Sequence, residues 1–235
     1  MGKYLVVGAS KGLGLELTCK LIARGDTVIA LSRDNIKGIS STLLETKKLD
    51  LENATSSEIA ELMDEIGNLS GVCFCQRYRG ISENILEEYK LNLHSISMFM
   101  EKIRRDYHSG TKLDFMRIVL IGSTYTLFSG NDQSWSYHAS KNAQSGLVKF
   151  YAMRSDGFYN INMLSPPTFI KKGAEEYWKA SQKTEKWRNF PTQRLPNVGD
   201  IADLAVMLLV SSNMFLNGQN ILCDGGASLI YQDQL

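Results

Sequence analysis

Short apolar runs alternate with longer segments of helical period along most of this chain. The runs at residues 4–7, 27–31, 47–50, 72–75, 117–121, 160–164 and 220–223 have the length expected of strands. Helical segments fall between them, clearest at residues 13–23, 56–66, 84–107, 134–154 and 201–211. This alternation predicts an α/β fold, a single-domain, Rossmann-like, doubly wound parallel sheet of about seven strands with helices on both faces. No internal repeat, low-complexity tract or linker interrupts it, so residues 1–235 read as one domain. Residues 166–196 break the rhythm. That polar stretch, with Trp178 and Trp187, reads as a substrate-loop insertion closing over a site.

Composition narrows the function classes. A formal net charge of +1 gives no sign of a nucleic-acid or membrane partner. No apolar run approaches the roughly 18 residues needed to span a bilayer. The first strand-like run begins at Tyr4, which argues against a cleaved leader, and Val6 stands where a myristoylation signal at Gly2 would need Ser or Thr. Cys19, Cys73, Cys75 and Cys223 are scattered and fit buried free thiols of a cytoplasmic protein. His94 and His108 have no metal-ligand spacing around them, so no metal site is expected.

Two stretches carry chemistry. Directly after the first strand comes Gly8-Ala9-Ser10-Lys11-Gly12-Leu13-Gly14, opening into a helix. Glycines let the backbone approach a pyrophosphate, and the helix N-terminus offers unpaired N–H groups with a favourable dipole. The second strand runs into Arg33 and then Asp34. Arg33 and Lys11 suit the 2′-phosphate of NADP(H), while Asp34 would instead bind ribose hydroxyls and keeps NAD(H) open. Far along the chain, Tyr137 and Lys141 stand four residues apart, on one face of a helix. A cation beside a phenol favours the phenolate, which would bring Tyr137 toward the working range of an acid or base.

Glycine turn, Tyr137 and Lys141 together resemble the classical short-chain dehydrogenase/reductase family, and the resemblance runs nearly end to end. Gly8, Gly12 and Gly14 match its cofactor turn, Asp50 and Leu51 its adenine-contacting Asp after the third strand, and Asn92 its structural Asn. Ile121-Gly122-Ser123 resembles the end of the strand carrying the catalytic Ser, and Asp224-Gly225-Gly226 the carboxy-terminal signature. The resemblance implies that Ser123 orients the substrate oxygen, Tyr137 exchanges its proton, and Lys141 binds the nicotinamide ribose and lowers the Tyr137 pKa. It implies that Asn92 bends its helix and holds a water continuing a proton path from Lys141. Cofactor contacts would come from Gly8, Ser10, Lys11, Gly12, Leu13, Gly14, Arg33, Asp50, Leu51, Tyr137, Lys141 and Pro166. The family also implies a small-molecule substrate and a homodimer or homotetramer.

Departures from the pattern cluster round the same site. The family's Asn-Asn-Ala-Gly run falls on Phe74-Cys75-Gln76-Arg77, whose bulk must point away or make new contacts. The Ser123-to-Tyr137 spacing is one residue longer than usual, which brings Thr124 into question as the alternative. Pro166-Pro167 replaces Pro-Gly, stiffening the nicotinamide-side loop, and Lys171 replaces a common Thr. The added cations, Arg77, Arg79 and Lys171 with Lys172, suggest an anionic substrate such as a carboxylate, a nucleotide-linked sugar or a carrier-protein thioester. The expected activity is an NADP(H)-dependent interconversion of a carbonyl and a secondary alcohol. A β-ketoacyl-carrier-protein reductase is the nearest enzymic alternative, and a silent NADP-binding sensor or scaffold is the alternative of another class.

Overall fold

The computed structural model describes residues 1–80, 84–111, 114–174, 176 and 191–230. Among them run strands β1 (Lys3–Val7), β2 (Thr27–Ser32), β3 (Leu44–Lys48), β4 (Gly71–Phe74), β5 (Met116–Ile121), β6 (Tyr159–Ser165) and β7 (Asn220–Leu222). The helices are α1 (Gly12–Ala23), α2 (Ser56–Ile66), α3 (Ile85–Tyr89), α4 (Ser95–His108), α5 (Trp135–Ala152), α6 (Val198–Val210) and α7 (Ala227–Ile230). The seven strands form one parallel sheet in the order β3-β2-β1-β4-β5-β6-β7. The expected doubly wound sheet is therefore present. Much of the expected insertion at residues 166–196, including Trp178 and Trp187, lies outside the described residues.

Strand residues alternate between the two faces and so build two cores. Leu5 and Val7 join Ile59 and Met63 of α2, Phe99 and Ile103 of α4 and Val148 of α5. Tyr4 and Val6 join Leu17 and Leu21 of α1 with Ile201, Ala205 and Leu209 of α6. The order reverses between β1 and β4, and ligands of open α/β sheets bind beyond the strand ends at such a switch point.

Two elements and one cysteine differ from the sequence reading. The third strand was expected at residues 47–50 but lies at Leu44–Lys48, paired in parallel with β2 from Val28↔Leu44 to Ser32↔Lys48. As an edge strand with exposed charged positions it lacks an apolar run to mark it. The helix expected over residues 84–107 is interrupted by a π-helical turn, Lys90–His94. Side chains take up carbonyls there: Ser95 Oγ donates to the Leu91 carbonyl (2.7 Å) and Gln144 Nε2 to the Asn92 carbonyl (2.9 Å). Cys19 is exposed on α1 rather than buried, while all four cysteines are free thiols.

Candidate active site

The glycine turn sits against the C-terminal ends of β1 and β4. Gly8 has φ +83°, and a Cβ there would lie 2.7 Å from the Gln76 amide nitrogen. A Cβ on Gly14 would lie 2.3 Å from the Gly8 carbonyl oxygen. Only glycine allows this approach of strand, turn and helix. Lys11 is the N-cap of α1 and makes no side-chain capping bond, so the turn supplies no side-chain acceptor for the first-turn N–H groups. A nucleotide pyrophosphate fits this cradle.

A cleft continues from the turn, lined by Gly8, Ser10, Lys11, Arg33, Asp34, Asp50, Leu51 and Glu52. β2 ends at Ser32, so Arg33 is the first residue beyond it, as the NADP(H) reading requires. Its Nη1 bonds Glu52 Oε1 at 3.2 Å, a competitor that the sequence reading missed. Asp50 accepts from Glu52 N (3.3 Å) and Asn53 Nδ2 (2.7 Å), so it shapes the turn after β3 as well as lining the cleft. Gly12, Leu13, Gly14 and Pro166 do not line it. Leu13 is buried against the second core, and the Pro166 carbonyl accepts the Thr124 amide at 3.1 Å.

The bulky replacements after β4 also face this region. Gln76 turns inward, its Nε2 donating to the Leu91 carbonyl at 3.4 Å. Arg77 and Arg79 line both the nucleotide cleft and a neighbouring cavity that contains Glu88, Gln133 and Tyr137. The Arg77 guanidinium lies 4.7 Å from the centroid of the Tyr137 ring and donates to Gln133 Oε1. Lys171 lies in neither lining but shares an electrostatic neighbourhood with Arg79, Arg77 and Lys11. Among the described residues no ion pair joins any of these four cations to a carboxylate.

Tyr137 and Lys141 project from one face of α5, whose N-cap Ser134 accepts the Tyr137 amide at 3.2 Å. The Ser123 hydroxyl caps a short 3₁₀ turn, Thr124–Thr126, and acts on the Tyr137 phenol to favour its ionised form. That effect favours Ser123 over Thr124 at the phenol. Burial raises the Tyr137 pKa above its ordinary value, with Ser123 and Arg77 acting against the rise. The direction is opposite to the sequence expectation. The reason is geometric: Tyr137 is only 8 % exposed, and the Lys141 ammonium lies 5.8 Å from its ring, bonded instead to the Ile121 carbonyl (2.8 Å) and Gln144 Oε1 (3.0 Å). Burial and then Arg77 lower the Lys141 pKa to about 8, while Glu88 opposes them.

Asn92 lies in the π-helical turn, fully buried. Its Nδ2 donates to Glu88 Oε2 and to Ser140 Oγ (3.3 Å), and its carbonyl accepts from Gln144. Glu88 and Gln144 were missed by the sequence reading. Nothing local marks them, because each takes its meaning from residues about fifty positions away. His138 bonds the Gly130 carbonyl (3.0 Å). Among the described residues no cluster of three or more metal-ligating side chains occurs, and no helix is long and apolar enough to cross a membrane.

A glycine cradle at the switch point and a Ser, Tyr and Lys beside it define a nucleotide-dependent oxidoreductase of the α/β class. The relatives give the family. A family model described as enoyl-(acyl carrier protein) reductase matches residues 76–228. The chain is 30 % identical over 247 residues to a 3-oxoacyl-(acyl-carrier-protein) reductase, FabG, of Buchnera aphidicola, covering 94 % of this chain and 95 % of that protein. It is 22 % identical over 244 residues to an NAD-dependent glycerol dehydrogenase of Listeria innocua, covering 96 % and 93 %. The solved structure of ElxO with NADP bound superposes with a TM-score of 0.82 at 19 % identity, covering 97 % of this chain and all of that one. The chain belongs to the short-chain dehydrogenase/reductase family. It is an enzyme that acts on CH–OH groups or the corresponding carbonyls, uses a nicotinamide cofactor and takes a small-molecule substrate.

Proposed function

We propose that this enzyme is an NADP(H)-dependent reductase of a polar, anionic carbonyl compound, with Tyr137 as the proton donor. The observation that carries the reading is the buried Tyr137 phenol in the second cavity, stacked beneath Arg77, which also lines the nucleotide cleft. The cofactor supplies the hydride that goes to the carbonyl carbon. Ser123 hydrogen-bonds the carbonyl oxygen and orients it, and Tyr137 gives that oxygen a proton as the negative charge develops. Burial keeps the phenol protonated at neutral pH, which suits reduction rather than alcohol oxidation. The Lys141 ammonium offsets the negative charge left on the phenol oxygen once the proton has gone.

Lys11 and Arg33 support NADP(H) over NAD(H), with Asp34 and Glu52 as the acidic counterweight. Arg77, Arg79 and Lys171 supply the anion preference. The second reading is a β-ketoacyl-carrier-protein reductase, favoured by the relative that is 30 % identical across nearly the whole chain. A carrier-linked arm bears a phosphate and would meet the same cations. Residues 1–235 act as one domain in this proposal, and exposed Trp135 and Phe150 on α5 fit a homodimer or homotetramer, which light scattering would measure.

The deciding experiment follows nicotinamide fluorescence during titration with NADPH and NADH, then assays anionic and neutral ketones and an acetoacetyl carrier protein. Tight NADPH binding with turnover of anionic ketones supports the first reading. Turnover confined to the carrier thioester supports the second. If neither cofactor binds, both fall. Arg77→Ala should raise KM about tenfold for the anionic substrate and little for a neutral one, and equal losses for both would remove Arg77 from substrate binding.

A further inference from the structure

Glu88 is a buried carboxylate with no ion-pair partner among the described residues. It stands near the end of α3, 3 % exposed, and its Oε2 accepts from Asn92 Nδ2 and from Ser140 Oγ at 3.2 Å. A carboxylate in such a place is costly unless it is hydrogen-bonded and compensated. Burial pushes the Glu88 pKa above the ordinary carboxylate value, and the Ser140 bond, Lys141 and Arg77 act against the rise and favour the ionised form.

The hydrogen-bond directions connect it to Lys141. An ammonium can only donate, so Gln144 turns its oxygen to Lys141 Nζ, at 3.0 Å. The Gln144 amide nitrogen then donates to the Asn92 carbonyl at 2.9 Å. An ionised carboxylate can only accept, so Asn92 turns its amide nitrogen to Glu88. Every donor points toward the carboxylate. Two hydrogen-bonded stretches, Lys141 to Gln144 to the Asn92 carbonyl and the Asn92 side-chain amide to Glu88, meet at Asn92 and are aligned in the same sense between a positive and a negative end. Gln144, 2 % exposed, also makes both links from Lys141 to the Asn92 carbonyl, where the family resemblance implies a water.

We propose that Glu88 and Gln144 are positioning residues which, through the backbone and side chain of Asn92, join the Lys141 ammonium to a buried counter-charge by two hydrogen-bonded stretches aligned in one sense. The oxidoreductase reading gives these stretches their purpose, keeping Lys141 charged and aimed beside Tyr137. The groups facing Lys141 are Glu88 from α3, Arg77 and Cys75 from the segment after β4, and Tyr137 on its own helix. Glu88 favours the ammonium and Arg77 opposes it.

The test is an NMR titration of protein carrying ¹³C at the lysine Cε positions, without cofactor, with the Lys141 resonance assigned by its loss in Lys141→Arg. Glu88→Gln keeps the side-chain size and removes the charge. Its Lys141 midpoint is expected to fall by about one pH unit, a tenfold loss of proton affinity. Gln144→Met keeps the length, leaves both charges and cuts the link between them, and the midpoint is expected to fall again. Midpoints equal to wild type in the folded variants would overturn the proposal. If Glu88→Gln does not fold, an unmoved midpoint in Gln144→Met overturns it alone. Because no cofactor is present, failure of the wild type to bind either NADPH or NADH would sink the proposed function without touching this result.

Discussion

The two ends of the site are built from different materials. At the nucleotide end the contacts offered to a ligand are mainly backbone: a glycine turn, an uncapped helix start and the ends of two parallel strands. At the carbonyl end they are the side chains of Ser123 and Tyr137, backed by the buried Lys141, Asn92 and Glu88, which restrain one another through hydrogen bonds and charge. Backbone sites depend on close approach and tolerate changes in neighbouring side chains. Side-chain sites depend on exact partners, because a buried polar group that loses one has no water to replace it.

The sharpest contrast should come from Tyr137→Phe. Turnover should fall by about three orders of magnitude while the NADPH dissociation constant changes little, measured by steady-state kinetics and fluorescence titration. Retained turnover would remove Tyr137 as the acid, and a wild type that binds NADPH but turns nothing over would favour the sensor reading. At the other end, Gly14→Ala drives a Cβ into the Gly8 carbonyl, where backbone must yield. Thermal melts should show a loss of about 2 kcal/mol, with cofactor binding lost in parallel. Unchanged binding would break the backbone account of that end.

A smaller effect belongs to the few side chains of the nucleotide end. Arg33→Ala should weaken NADPH about tenfold and leave NADH nearly unaffected, since only one carries the 2′-phosphate. Equal effects on both would shift the phosphate contact to Lys11. The smallest prediction concerns stability against pH. Lys141 holds its proton only to about pH 8 in the folded protein, below the ordinary lysine value. Between pH 8 and about 10 the unfolded chain therefore binds more protons than the folded one at this residue, and its contribution to stability rises with pH. Denaturant melts of wild type and Lys141→Met should diverge in that window, the wild type gaining relative to the variant. Burial raises Tyr107 and Tyr159 to about 12, so their contributions are present below pH 10 and lost above it.

How much of each end could be read in advance follows the same division. The strands β1, β2, β4, β5 and β6 declared themselves as apolar runs because both faces of a parallel sheet are buried. β3 did not, because an exposed edge strand has no such run. The glycine turn was legible as a motif, and so was the Tyr137–Lys141 pair. The direction of the Tyr137 shift was not. Spacing puts Lys141 on the same helix face, but burial depth and the place of Arg77 depend on the segment after β4 packing over α5.

Sequence by itself determined the alternation that makes the sheet, the turn where only glycine fits, and the residue types that can move a proton. These rest on interactions between near neighbours or on conformational limits of single residues, so they survive without knowledge of the packing. Tertiary structure alone decided that Glu88 on α3 and Asn92 on the π-helical turn meet Ser140 and Gln144 on α5, across separations of 48 and 52 positions. It also decided which charge each buried group faces. Burial removes water as the common partner, so the energy of each polar group is set by the few atoms the fold brings beside it.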